Sequence, residues 1–165
     1  DKEKFDCFFL AQNPGTDDQK LKEIGVKLNY IDFKKNYKKE LYNFFVNNNF
    51  DIIHVHNCKE MKLILKIAKR ANIPTRIIHS HVSRGDLNKI FWLLKAIKSY
   101  SITKYANKFF ACSDEAAKWL FPTKIKEKII IRNGIDISRF KFDLEKRAKT
   151  RKEYNLEDLF VLCTV

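Results

Sequence analysis

Short runs dense in Phe, Ile and Val recur at Phe5–Ala11, Val26–Phe33, Ile52–His56, Arg76–His81, Lys108–Cys112 and Lys128–Arg132, with a seventh at Leu159–Val165. Several are nearly continuous in apolar residues, the pattern of strands buried on both faces. Helical spacing fills the gaps. Asp17 and Asp18 open one helix, Leu21 and Ile24 form its inner face, and Gly25 can close it in a left-handed turn. Lys34–Asn49 places Tyr37, Leu41, Phe44 and Phe45 on one stripe, and Cys58–Ala71 does the same with Met61, Ile64, Leu65 and Ala68. Pro74 stops that helix, because the residue before a proline is driven out of helical geometry. A long helix is expected from Asp86 to about Asn107, with Leu87, Ile90, Phe91, Leu94 and Ile97 inward. Ser113 caps the next, with Asp114 and Glu115 in its first turn. Strand and helix alternate throughout, which is the arithmetic of a doubly wound, mostly parallel α/β sheet.

Composition narrows the partners more than the fold. At 165 residues and 45% hydrophobic, the chain has the material for one real core, which excludes general disorder. Its longest apolar run, Ile90–Leu94, is far short of the ~20 residues that span a bilayer. Thirty-three Lys and Arg against 20 Asp and Glu leave a net charge of +13, which attracts phosphorylated ligands, anionic lipid or nucleic acid. Cys7, Cys58, Cys112 and Cys163 show no metal-ligand spacing and read as reduced thiols.

In open α/β sheets, ligands bind beyond the carboxyl ends of the strands. Those ends carry His56-Asn57, then His79-Ser80-His81 followed by Ser83-Arg84, then Cys112-Ser113, then Asn133-Gly134. Imidazole and small polar groups thus line one rim. Alternation puts His54 and His56 on a shared face, and likewise His79 and His81, with Val55 and Ser80 opposite; His54 lies deeper and is read as a core histidine. No dinucleotide fingerprint, phosphate-binding P-loop, zincin helix or nucleophile elbow is present.

The ordered series Asp51-Ile-Ile-His-Val-His56, Ile73-Pro-Thr-Arg-Ile-Ile-His-Ser-His81, Phe110-Ala-Cys-Ser-Asp-Glu-Ala-Ala117 and Asn133-Gly-Ile-Asp-Ile-Ser-Arg-Phe140 resembles a known family. It is similar to the amino-terminal domain of family 4 glycosyltransferases with the two-domain GT-B fold, of the bacterial capsule and exopolysaccharide type. The resemblance implies retaining transfer of a sugar from a nucleotide-sugar donor to a saccharide acceptor, often lipid-linked, with no metal and no other cofactor. It implies a catalytic histidine at the fifth family strand's end, His81 or alternatively His79, with His81 favoured as nearer the terminus. His56, Asn57, Ser80, Ser83, Arg84, Ser113, Asn133 and Gly134 are the expected substrate-binding residues.

Two departures from the family pattern shape the domain reading. A central strand with a Gly-rich loop is expected ahead of Phe5–Ala11, which leaves a gap between that run and Ile52–His56, open to Leu159–Val165 as a filler. Residues 1–142 then form a partial acceptor-side domain, and 143–165 an interdomain segment plus the first strand of a donor-binding domain. Such a fragment is expected to be inactive alone. Localisation is expected to be cytoplasmic, on the inner face of the cell membrane, with an anionic membrane surface as a candidate partner. Phe91, Trp92, Leu93, Tyr100 and Tyr105 with Lys89, Lys95, Lys98 and Lys104 are the expected membrane face. The alternative is a basic α/β nucleic-acid-binding domain, which the aromatics on inner stripes disfavour.

Overall fold

The computed structural model describes residues 4–32, 36–56, 59–82 and 89–162, with the side chains of 89–93 and 139 left aside. In chain order the elements are β1 (Phe8–Ala11), α1 (Asp18–Glu23), β2 (Lys27–Tyr30), α2 (Tyr37–Asn48), β3 (Ile52–Val55), α3 (Met61–Arg70) and β4 (Thr75–Ser80). Then follow α4 (Lys89–Thr103), β5 (Lys108–Ala111), α5 (Asp114–Leu120), β6 (Ile129–Ile130), a 3-10 turn (Ile137–Phe140) and α6 (Leu144–Glu153). Every strand pair is parallel: β1 with β2, and β3-β4-β5-β6 in sequence order. The α/β class expected from the alternation is the class observed.

Among the described residues no strand lies against the remaining edge of β1 or of β3, so the expected gap in the sheet is there. The expected filler is not. Leu159–Leu162 forms no strand, and Phe160 and Leu162 are almost fully exposed. An apolar run becomes a strand only where a neighbouring backbone takes up its N–H and C=O groups, and among the described residues no strand pairs with Leu159–Leu162. Residues 1–132 form one compact unit and 133–165 a second. The second unit contains α6, a helix the periodicity had not suggested, because it is polar all round. Asp143 caps it, accepting the Lys146 N–H at 2.9 Å.

In the first unit the core follows two of the expected stripes. Met61, Ile64, Leu65 and Ala68 of α3 are all buried, and Leu41 and Phe45 of α2 join them around Ile78 of β4. Phe8 of β1 meets Phe44 and Phe50 edge-on, which ties the two-stranded sheet to α2. Asparagines, more than glycine or proline, close the helices. Asn49, Asn72 and Asn155 take positive φ just past α2, α3 and α6, as Gly25 does after α1. Arg76 locks the entry of β4: its guanidinium donates to the carbonyls of Tyr105, Ile73 and Pro74. Asn107 completes the lock, accepting the Arg76 N–H at 2.8 Å and donating to the Pro74 carbonyl at 2.7 Å.

Two inner faces differ from those expected. Ile24 is exposed and Leu21 only half-buried, so α1 contributes no fully buried side chain. In α4 the phase is reversed: Leu94 and Ile97 are 58% and 60% exposed, while Ser99, Ile102 and Thr103 are buried. The hydroxyl of Thr103 can be buried because it donates to the Ser99 carbonyl at 2.9 Å, so the polar face carries little desolvation cost. Asp86 and Leu87 lie outside the described residues, and the Ile90 and Phe91 side chains are among those left aside.

Candidate functional site

The four histidines of the chain stand together at the carboxyl ends of β3 and β4. Parallel register sets His54 beside Ile77, which brings His56 level with His79 and carries His81 one step further. Two diagonal contacts cross the strands: His54 Nε2 to His79 Nδ1 at 3.1 Å, and His56 Nδ1 to His81 Nε2 at 2.8 Å. Along each chain segment the rings also meet: His54 and His56 stack at a centroid distance of 4.3 Å, and His79 and His81 lie tilted at 4.1 Å. Phe110, the register partner of His79 on β5, presents its ring at right angles to both His54 and His79 and walls the cluster on that side.

Their electrostatics follow from crowding. His54 and His79 are held down to about 4, first by burial and then by the charge their neighbouring imidazoles would carry. His56 is lowered by burial and by His81. At neutral pH His54, His56 and His79 are therefore neutral, each ring carrying one N–H and one lone pair. An unfolded histidine titrates near 6.5, so between about 6.5 and 4 the unfolded chain binds more protons than the folded one. The stability these rings contribute is full above 6.5 and lost as pH falls towards 4. In chelator-containing buffer the urea midpoint should drop between pH 7.5 and 5.0, before most carboxylates titrate. An unchanged midpoint would show that the cluster is not protected from protons.

The expected site residues divide into three groups. His56, His79 and His81 come together; His79 is buried, His81 half-buried and His56 exposed, so of the two catalytic candidates His81 is the one open to a ligand. His54 joins them, which corrects its reading as a core histidine: it is exposed, and its ring packs on His56. The alternation that paired it with His56 was the better signal than its depth in the strand. Ser80 is corrected the other way. It points to the opposite face, fully buried, and its hydroxyl donates to the Ala116 carbonyl at 2.7 Å, so it braces α5 and not a substrate. Ser113 caps α5, its oxygen accepting the Ala116 N–H at 3.1 Å. Asn57, Ser83 and Arg84 lie outside the described residues. Asn133 and Gly134 open the second unit, exposed, and a side chain at Gly134 would meet open space.

A cleft of about 540 Å³ lies at the other end of the sheet, bordered by Lys108, Lys124, Lys128 and Glu127 near the starts of β5 and β6. It lies at the amino ends of the strands, opposite to where open α/β sheets bind ligands. The histidine rim combines the right end of the sheet with convergent polar groups.

The same residues fall inside a family match: the family model for Glycosyltransferase Family 4 covers residues 13–139, more than three quarters of the chain. The chain belongs to glycosyltransferase family 4. This family-4 chain is 27% identical over 139 residues to the capsular polysaccharide biosynthesis glycosyltransferase CapH of Staphylococcus aureus. It is 24% identical over 153 residues to EpsF of Bacillus subtilis (strain 168), which also carries a glycosyltransferase name. These matches take in 81% and 84% of the chain, but it spans only 39% of the length of each relative. No solved structure matches it.

Proposed function

We propose that the protein transfers a sugar from a nucleotide-sugar donor to a saccharide acceptor, with retention of configuration, in the building of a cell-surface polysaccharide. The observation that carries this is the gathering of the histidines at the carboxyl rim of the sheet, within a family-4 chain. The capsular role in the name of the Staphylococcus aureus relative supports the polysaccharide product. Glycosyl transfer between hydroxyl and diphosphate asks for positioning and for neutralising a departing charge, more than for a covalent nucleophile. In this reading the chain supplies the acceptor side. His81 contacts the reacting sugar, and His56, 2.8 Å away, fixes which nitrogen of His81 carries its proton. Ser113, Asn57, Ser83 and Arg84 are proposed to bind the saccharide, as separately are Asn133 and Gly134 of the second unit, and neither metal nor other cofactor takes part in the transfer.

The test is a transfer assay on the whole protein, with radiolabelled UDP- and GDP-sugars and polyprenyl-diphosphate-linked saccharides. Acceptor-dependent release of the nucleoside diphosphate is the expected result. Absence of transfer across that panel, alongside tight and salt-sensitive oligonucleotide binding, would favour the basic nucleic-acid domain instead.

A lipid-linked acceptor places the site against the cytoplasmic face of a membrane, and α4 supplies a surface for it. No helix among the described residues is long and apolar enough to cross a membrane. On α4, however, Leu94, Ile97 and Tyr100 are exposed on one side, flanked by Lys98 and Lys104. This differs from the face expected from sequence: Lys95 is held by the fold, donating to the Lys118 carbonyl at 3.2 Å, and Tyr105 packs against the core. The Trp92 and Leu93 side chains are not among those described. Each exposed Lys near anionic lipid contributes on the order of 1 kcal/mol. Cosedimentation should therefore rise with anionic lipid at low salt, and Ile97→Glu should lower it severalfold. Equal binding to neutral and anionic vesicles would remove this face from the account.

A further inference from the structure

We propose that His54, His56, His79 and His81 form a binding site for one divalent transition-metal ion of the zinc class. Three of the four already offer nitrogens that lie within 4.8 Å of one another, from His54, His56 and His79. The cross-strand nitrogen pairs stand 3.1 and 2.8 Å apart. Tetrahedral zinc, with Zn–N near 2.0–2.1 Å, holds its ligand nitrogens about 3.3 Å apart. Each cross-strand pair therefore needs to open by only a few tenths of an ångström, while the widest spacing closes by rotation of exposed rings.

The chemistry of the set points the same way. Imidazole is a ligand for zinc, copper and nickel, and a poor one for magnesium or calcium. Metal binding needs the neutral ring, the form that already predominates for an ordinary imidazole above pH 7. The cluster, walled by Phe110, brings four imidazoles and an aromatic ring together. The framework is anchored on the sheet: β3 and β4 hold His54 and His79, and His56 and His81 follow directly at the strand ends. The ion plays no part in the transfer chemistry. It would compete with a sugar for His81; that consequence rests on the function proposed above, whereas binding itself does not.

The experiment reads binding alone. Purified protein, stripped with a chelator, is titrated with Zn²⁺ by calorimetry and with Co²⁺ by visible absorption, with Mg²⁺ as the comparison. The expected result is one ion per chain at a dissociation constant of about 1 μM or tighter, tetrahedral Co²⁺ bands, and no response to Mg²⁺. His56→Gln, at an exposed position, should weaken Zn²⁺ by about tenfold or more. If that variant does not fold, the wild-type protein supplies the readout: Zn²⁺ should shift the imidazole NMR signals of all four histidines together. No saturation below about 1 mM would overturn the site, as would undiminished affinity in a folded His56→Gln, or Zn²⁺ shifts that leave the four imidazoles unmoved.

Discussion

His81→Ala in the whole protein should lower turnover by about 10²- to 10³-fold, the scale of losing one placed polar group at a reacting centre. His54→Ala, assayed beside it in chelator-containing buffer, should cost less than about tenfold. Both rings belong to the cluster, but only His81 is both half-open to a ligand and beyond the strand's last paired residue. His54 contributes one contact to His79 and stacks on His56, so its removal should cost about 0.5–1.5 kcal/mol of stability and leave the fold in place. The comparison needs circular dichroism on both variants and a full saturation curve, since a change in KM alone would indicate lost binding and not lost chemistry. If His81→Ala retains wild-type turnover, the assignment fails.

The second large effect is on stability. Leu65 is fully buried in α3, in the same cluster as Leu41, Phe45 and Ile78. Leu65→Ala removes apolar area and leaves a cavity, and should cost about 2–5 kcal/mol. That is a large share of the 5–15 kcal/mol typical of a folded domain. Lys66→Ala, next along the helix and exposed, should stay within about 0.5 kcal/mol. Urea denaturation of the two variants, at equal slope, measures both numbers. A Leu65→Ala cost below about 1 kcal/mol would mean that the inner face of α3 has been misassigned.

The contrast between α3 and α4 shows what was legible in the sequence. In α3 the outward positions Lys62, Lys66, Lys69 and Arg70 are all charged, so hydrophobicity alone fixes the phase, and Met61, Ile64, Leu65 and Ala68 are buried as expected, with Ile67 beside them. In α4 apolar residues occur on several sides, and the decisive fact is local: Thr103 satisfies its own hydroxyl within the helix, which lets a polar face turn inward. Pattern counting does not see that hydrogen bond. The same limit applies at the rim. Period-two alternation correctly placed His54 with His56 and His79 with His81, but only the parallel register of β3 and β4 brings the two pairs within hydrogen-bond distance. Ser80 was drawn into the site by its neighbours in sequence, when alternation already assigned it to the opposite face. α6 was missed because a helix without an apolar face leaves no periodic signal, and only its Asp143 cap could have marked it.

The central claim is that the histidine rim is where the saccharide is held, and imidazole NMR of the whole protein tests it most directly. The signals of His54, His56, His79 and His81 are first assigned by single substitution, in metal-free buffer. The protein is then titrated with a polyprenyl-diphosphate-linked saccharide in the presence of the nucleoside diphosphate. The account expects His56 and His81 to shift together and to saturate with the same midpoint as turnover. Catalysis that saturates while all four imidazole signals stay fixed would contradict it.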